Sequence, residues 1–417
     1  MLTPGQTLSV TIDKPAAGGR MIARVDGQVV LVSGAIPGER VHVRIERVGK
    51  SIAFAETLAV EEASPDRREP FADPLCGGNL FGHIAYPRQL EIKSQVIADA
   101  FARIGHVTLP SAVAVAASPE DGYRMRARLH LRGRRLGFFR EGTHDVCDAR
   151  QTRQLLPATC DTLDRLSAAI TSLGIQEVRE VELSENVDAS ERVVHLDTSQ
   201  PLDPRVLEKV VSAQGLTPGP FVSDVLVIGD ARLKLRRHAL SFFQGNRYLL
   251  RDLVAHVTER IPIGTALLDL YAGAGLFSVA AGVLRGAWVV AVEGDRFAAD
   301  DLHANGAASG AAITTIRGSV EGAATGYARA VNRHAGTRLI ETVIVDPPRT
   351  GMSREALDTM LGIQPSRLMY VSCDVATLAR DSRRIIDAGY AIDRADAFDL
   401  FPNTPHVETV IVFDRQR

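Results

Sequence analysis

From residue 265 to the end of the chain, short apolar runs alternate with helical patterns, and most runs stop at a residue able to do chemistry. Ala266-Leu267-Leu268-Asp269-Leu270 leads into Tyr271-Ala272-Gly273-Ala274-Gly275 and then a helical pattern through Val279 and Val283. Trp288–Val292 ends in Glu293, a helix runs on through Asn305, Thr342–Val345 ends in Asp346, and Leu368–Ser372 ends in Cys373. Strand–helix alternation of this kind predicts an α/β fold, a parallel sheet with helices on both faces. Ligands of such sheets bind beyond the carboxyl ends of the strands. Asp269, Glu293, Asp346 and Cys373 all fall at or near that edge. Glu408 follows 35 positions after Cys373 (408 − 373), just ahead of the apolar run Val410–Phe413. A nucleophilic sulfur and a carboxylate so placed point to covalent catalysis with a general base.

Gly273 and Gly275 allow a tight turn and a close approach of backbone to ligand. Glu293 lies 24 positions after Asp269 (293 − 269), where a carboxylate grips ribose hydroxyls in nucleotide-binding folds. A dinucleotide would call for G-x-G-x-x-G/A. Ser278 stands at the third position, and no glycine-rich complement to a pyrophosphate follows. The two glycines alone fit either cofactor. The downstream residues favour S-adenosylmethionine, which has no phosphate to cradle. In Asp346-Pro347-Pro348-Arg349 the paired prolines cannot continue a ladder, so they force a rigid exit that presents Asp346 at a fixed place.

The amino-terminal part reads differently. Thr7–Ile12, Gln28–Val32 and the alternating Arg40–Val48 are strand-like, with Gly27, Gly34 and Pro37-Gly38 as punctuation. Several short strands in so few residues suit a small β-barrel. Ser64–Pro70 is a polar, proline-bounded linker, and about Pro87 to Ile104 turns helical, with Gly105 as its stop. Further on, Arg124, Arg126, Arg128, His130 and Arg132 alternate with Met125, Ala127, Leu129 and Leu131. Period two puts the basic set on one strand face, and no acid interrupts it before Glu141, so the face is expected to contact phosphates. Ala158–Leu173 suits a helix, and Val178–Leu183 and Val193–Leu196 suit strands completing a small α+β piece around the arginine strand.

A formal net charge of −2 gives no overall basic field, so any nucleic-acid surface must be a local patch. Cys76, Cys147, Cys160 and Cys373 form no C-x-x-C pair, which argues against a zinc site or a disulfide framework. The start of the chain has no basic and apolar leader pattern, and no apolar stretch approaches the roughly 20 residues that span a bilayer. The expectation is a cytoplasmic protein with reduced thiols, monomeric and away from membranes.

Taken together, the motifs resemble the S-adenosylmethionine-dependent RNA 5-methyluridine methyltransferases. The segments are Ser241–Asn246, Leu268–Gly275, Val292-Glu293-Gly294, Val345–Arg349, Tyr370–Asp381 and Asp399–Thr409, in that order and spacing. The amino-terminal strands look like the RNA-binding TRAM domain, an OB-like barrel of the 23S rRNA members. The resemblance implies a Rossmann-like class I methyltransferase domain with that barrel and a small α+β central domain. The division expected is 1–63 for the barrel, 64–85 with 120–240 for the central RNA-binding domain, and 86–119 with 241–417 for the catalytic domain. It further implies that Gln244, Tyr271, Glu293 and Asp346 line the S-adenosylmethionine site. Gly273 would shape its loop, and Ser319 would add a contact. Cys373 would be the nucleophile and Glu408 the base. RNA would be held in part by Arg124, Arg126, Arg128 and Arg132, with 23S rRNA the expected partner and the tRNA T-loop the runner-up.

Many such enzymes carry a four-cysteine iron–sulfur cluster. Here Asn79 ends the Cys76-Gly77-Gly78-Asn79 stretch and Thr152 stands where the last ligand would fall, so no cluster and no other metal is expected. Cys147 and Cys160 then read as buried hydrophobes. Two other classes remain to be set aside. One is an RNA-binding protein with an inactive methyltransferase domain, which intact Cys373 and Glu408 oppose. The other is a nicotinamide-dependent oxidoreductase, which Ser278 and the Asp-Pro-Pro-Arg loop disfavour.

Overall fold

The computed structural model describes residues 2–175, 178–212, 215–323 and 339–416. Five strands at the amino terminus close a barrel: β1 Thr7–Pro15, β2 Met21–Val25, β3 Gln28–Ser33, β4 Arg40–Val48 and β5 Ile52–Glu62. Their order is β1-β2-β3-β5-β4, with β3 and β5 parallel and β4 returning to β1. Alternation along β4 buries Val41, Val43 and Ile45 inside the barrel and leaves Arg40, Arg44 and Glu46 outside. The linker is fastened to the barrel by Arg67, whose guanidinium holds the fully buried Glu39 at 2.6 Å.

Helix α1, Tyr86–Ala100, runs into a single π-turn over Phe101–Gly105. The sequence reads this as one helix stopped by Gly105. In the structure His106 takes the left-handed conformation (φ 50°), and Gly105 serves close packing instead. A Cβ on Gly105 would come within 2.9 Å of the Ala379 carbonyl oxygen. The π-turn thus lies directly on the helix that follows Cys373.

The central piece is a sheet in the order β11-β10-β7-β8-β9, built from β7 Arg126–Arg132, β8 Arg135–Phe139, β9 Val146–Asp148, β10 Val178–Glu185 and β11 Arg192–Thr198. Helix α2, Pro157–Ser172, covers its apolar face through Leu163, Leu166 and Ile170, and α3, Pro204–Ser212, follows. A separate hairpin, β12 Phe221–Ile228 and β13 Ala231–His238, joins this piece to the carboxyl-terminal half.

The carboxyl-terminal half is an eight-stranded sheet in the order β16-β15-β14-β17-β18-β20-β19-β6. Its strands are β14 Ala266–Leu270, β15 Trp288–Glu293, β16 Ile313–Arg317, β17 Thr342–Val345, β18 Arg367–Ser372, β19 Tyr390–Phe398, β20 Glu408–Arg415 and the short β6, Val115–Ala116. Helices α4 Leu250–Glu259, α5 Leu276–Arg285, α6 Arg296–Ser309, α7 Val320–Ala323, α8 Arg354–Ile363 and α9 Val375–Asp387 belong to this half. Strand β14 is buried at every position, the burial expected of a central parallel strand covered on both faces. The parallel sheet expected from sequence holds from β16 to β18. Beyond it β20 enters antiparallel to β18 and pairs antiparallel with β19. That reversal has a functional consequence. It brings the start of β20 beside the end of β18. Among the described residues no helix is long and apolar enough to cross a membrane.

Candidate active site

Register places the thiol and the carboxylate together. Ser372 pairs with Thr409, so Cys373, directly after β18, and Glu408, the first residue of β20, are the next residues outward. Glu408 also pairs with Phe398 on its other side and is 2% exposed. Its Oε1 is buried with no hydrogen-bond partner. Burial, reinforced by the negative charge of Asp346, drives the Glu408 carboxyl well above the usual range. The buried carboxyl oxygen thus lies beside a half-buried thiol.

Cys373 is followed at once by α9, whose first turn is capped by the Asp374 side chain accepting from the Thr377 amide at 2.8 Å. The positive end of a helix favours an anion at that point. Burial acts in the opposite sense and, with the charge of Glu408, pushes the Cys373 thiol up to about 12. The counterweight is Arg349, whose positive charge favours the thiolate. The loop carrying Arg349 is pinned to α9. Thr377 Oγ1 donates to the Arg349 carbonyl at 3.2 Å, and Asp381 accepts from the Met352 amide at 3.0 Å and from the Tyr370 hydroxyl at 2.7 Å. Sequence reading valued the two prolines for Asp346 and passed over Arg349. The signal was its position directly after them. His406, close to Arg349, Lys93 and Arg124, is driven down to about 4 by burial and by those cations, so its ring is neutral at the cleft.

A second group of carboxylates lies at the ends of β14, β15 and β17. Gln244 Nε2 donates to Asp346 Oδ2 at 3.0 Å. The Gly273 amide donates to Glu293 Oε2 at 2.7 Å, and the Asp295 amide to Glu293 Oε1 at 2.6 Å. Gly273 (φ 55°) and Gly275 (φ 91°) take the left-handed region, and a Cβ on Gly275 would meet Leu302 Cδ1 at 2.8 Å. Tyr271 shares that conformation (φ 61°) without being glycine, a strain of order 1–3 kcal/mol that sequence did not signal. Its hydroxyl donates to Glu321 at 2.8 Å. Ser319 is exposed, its backbone lying against Gly294. Ser278, which breaks the dinucleotide pattern, donates to the buried Asp269. Burial still raises Asp269 to about 7, and burial with the charge of Asp269 raises Asp346 to about 7. The glycine turn, the anchored Glu293 and the crowded, charge-hungry carboxyls fit a nucleoside with a cationic centre.

The arginine strand is less uniform than its spacing suggests. Arg124 turns inward, donating to Gln154 Oε1 at 2.8 Å and to the Arg126 carbonyl at 2.7 Å, with its guanidinium 5.2 Å from the Phe138 ring centre. Arg126 is brought down to about 10 by burial; its Nε has no partner and its guanidinium lies 5.9 Å from the Phe242 ring centre. Arg128 is paired across the sheet with Glu182 at 2.6 Å and Glu180 at 3.4 Å. The acid missing from the local run is supplied by β10. Arg132 is exposed at the hairpin end and lines a cavity of about 720 Å³ with Arg134, Arg135 and His144. The four arginines therefore do not form one continuous cationic face.

The positions expected to lack a metal cluster hold a polar network. Asn79 is fully buried and donates to the Ala72 and Asp73 carbonyls at 3.0 and 3.2 Å. Thr152 Oγ1 donates to the Ala149 carbonyl at 2.7 Å, and Gln154 Nε2 donates to Thr152 Oγ1 at 3.1 Å. Cys76 and Cys147 touch there, but amide and hydroxyl groups are not ligands for an iron–sulfur cluster that needs about four thiolates. These residues do not fit such a cluster. Cys160 is 4% exposed, whereas Cys147 is only half-buried.

A Rossmann-like sheet with a glycine turn, a ribose-type carboxylate and a thiol–carboxylate pair defines a class I methyltransferase site, here joined to a closed five-stranded barrel. Residues 182–416 match the tRNA (Uracil-5-)-methyltransferase family, and residues 2–58 match the TRAM domain. The chain is 33% identical to the 23S rRNA (uracil(1939)-C(5))-methyltransferase RlmD of Halomonas elongata, over 96% of this chain and 88% of that one. It is 32% identical to the RlmD of Acidithiobacillus ferrooxidans, over 98% of each. Among solved structures it resembles Pyrococcus abyssi tRNA (uracil-54, C5)-methyltransferase in complex with S-adenosyl-L-homocysteine. That match has a TM-score of 0.75 and 25% identity, covering 97% of this chain and 99% of the other. The chain belongs to the RNA uracil-5-methyltransferase family and is an S-adenosylmethionine-dependent enzyme of it.

Proposed function

We propose that this enzyme methylates C5 of a uridine in 23S rRNA, as a monomer in the cytoplasm, through a covalent bond between Cys373 and C6. The observation that carries the covalent reading is the placing of Cys373, the residue after β18, beside Glu408, the first residue of β20, next to the Ser372–Thr409 pair, with one Glu408 oxygen buried and unpartnered. Full-length likeness to two 23S rRNA enzymes supports the choice of RNA. The tRNA alternative rests on the likeness to the P. abyssi enzyme. Mapping 5-methyluridine in rRNA and tRNA of a strain lacking the protein decides between them. Loss of one site in 23S rRNA is the expected result, and loss at the tRNA T-loop instead overturns the rRNA assignment.

In this reading Gln244, Tyr271, Gly273, Glu293, Ser319 and Asp346 hold S-adenosylmethionine, which supplies a methyl group on a sulfonium. C5 of uridine is too weak a nucleophile to take that methyl unaided. The Cys373 thiolate adds at C6 and sends electron density to C5. After C5 is methylated, Glu408 accepts the C5 proton, the electron pair of that C–H bond re-forms the C5–C6 double bond, and the sulfur leaves. The target base must come out of its stack to reach the thiol. The barrel (1–63) and the central piece (64–85 with 120–240) serve to hold RNA for the catalytic piece (86–119 with 241–417). Of the strand arginines, Arg132 at the hairpin and Arg126 beside Phe242 are left to meet RNA, while Arg124 and Arg128 are engaged within the protein.

The carboxyl pair predicts a proton linkage. Asp269 and Asp346 are raised to about 7, so below neutrality they are largely neutral and above it largely anionic. A bound sulfonium favours the anionic form. S-adenosylmethionine affinity should therefore rise between pH 6 and pH 8, by up to about tenfold per pH unit for each proton released below pH 7. S-adenosylhomocysteine, whose sulfur is neutral, should show a flatter profile. Calorimetry with both ligands checks this, and identical profiles would remove the carboxyls from the sulfonium's surroundings.

A further inference from the structure

The barrel touches the loop that leads into Glu408. Its β1–β2 turn, Ala16–Arg20, is closed by the Ala16 amide donating to the Arg20 carbonyl at 2.9 Å. Gly19 at its tip lies on Pro405, and a Cβ there would stand 2.8 Å from Pro405 Cγ and 3.0 Å from its Cβ. Pro405 is three residues before Glu408 (408 − 405). Arg20 holds the turn in place by pairing with Glu46 at 2.7 Å and donating to the Ala55 carbonyl at 3.0 Å.

The other side of the same loop is gripped from the linker and α1. The Asn403 amide donates to Gln89 Oε1 at 2.9 Å, and its Oδ1 accepts from Gln89 Nε2 at 2.9 Å and Arg68 Nη2 at 2.7 Å. Its carbonyl accepts from the Phe81 amide at 2.8 Å. The buried Lys93 pairs with Asp399 at 2.5 Å and donates to the Phe401 carbonyl at 3.2 Å. Phe81, Ile84 and Ile92 are packed into the barrel's own core, while Ile97 and Phe101 enter the core of the catalytic sheet, so the linker and α1 tie the barrel to the catalytic piece. Glu408 Oε1 has no hydrogen bond of its own. Its place is set by the backbone of β20, which pairs with β19, and by the loop leading into it, which these contacts hold.

We propose that the barrel is a positioning element of the catalytic site. Its β1–β2 turn and the Gln89–Asn403 contacts close on the 399–407 loop from two sides and so fix Glu408 against the substrate. Gly19 and Gln89 are positioning residues in this scheme, which rests on Glu408 acting as the base.

Gly18 provides an internal control. It has nearly the same left-handed conformation (φ 86° against 91° for Gly19), but a Cβ there meets nothing within 4 Å. Gly18→Ala and Gly19→Ala thus carry equal backbone strain, and only the second pushes Pro405. Each is assayed as the full chain with labelled S-adenosylmethionine and total RNA from a strain lacking the protein. Gly19→Ala should lower kcat by roughly tenfold to a hundredfold, the scale of a misplacement near 1 Å, with KM for RNA within about twofold of normal. Gly18→Ala should keep the normal kcat. Pro405→Ala, which opens a gap without backbone strain, should lower kcat in the same way and serves if Gly19→Ala does not fold. Equal kcat in the two glycine variants, or an effect on KM alone, overturns the proposal. Glu408→Gln run in parallel separates the two ideas, because normal turnover by that variant removes the base assignment instead.

Discussion

Cys373→Ala is expected to abolish methylation, by about 10⁴-fold or more, while leaving S-adenosylmethionine binding intact. The sharper readout is covalent. RNA carrying 5-fluorouridine at the target should form an adduct that survives denaturation, because fluorine cannot leave C5 as a proton does. Cys373→Ala should give none. An adduct in that variant, or its absence with active enzyme, ends the covalent mechanism. The thiol's environment makes the prediction more specific. With the thiol held up by burial and by the charge of Glu408, the resting site holds little thiolate at pH 7. The cation that opposes this is Arg349, and a cation favours the charged form. Arg349→Gln should therefore slow trapping and move its pH dependence to higher pH. Unchanged trapping across pH would mean that the thiolate is generated some other way.

Much of this site was legible because its residues stand where local patterns end. Arg40–Val48 reads as a strand with the same bounds that β4 has. Apolar runs stopping at Glu293, Asp346 and Cys373 mark β15, β17 and β18, since buried parallel strands are continuous apolar segments and their carboxyl ends face ligand. What escaped depends on contacts between distant segments. The reversal of β20 sets Glu408 opposite Cys373, yet an apolar run reads alike in either direction. Arg349 bears on the thiol because a proline-stiffened loop is bound back onto α9, which no periodicity reports. Glu180 and Glu182 lie about 50 positions from Arg128 (180 − 128 = 52, 182 − 128 = 54), so an uninterrupted basic run still found its acids. Gly19 reads as an ordinary turn glycine, and only the folded chain shows what it rests on.

Glu408→Gln should separate methyl transfer from release. Glutamine keeps the shape of the side chain but cannot take a proton, so addition at C6 and methylation at C5 proceed while elimination stalls. The expected result is a methylated protein–RNA adduct that accumulates with unmodified uridine as substrate, and turnover lower by about 10²–10⁴-fold. Rapid turnover without such an adduct would take the base role from Glu408. The pH profile tests the same point from another side. Burial and the charge of Asp346 hold the Glu408 carboxyl above its usual range, so it is protonated at pH values where an exposed glutamate is ionised. That proton removes an anion from beside Cys373, whose own ionisation the Glu408 charge opposes. It also means that the base becomes competent only as pH rises. Turnover by the natural enzyme should climb with pH through the raised pKa and then level. In Glu408→Gln that inflection should vanish, leaving a small residual rate that increases with hydroxide. A profile shared by both proteins would show that another group receives the C5 proton.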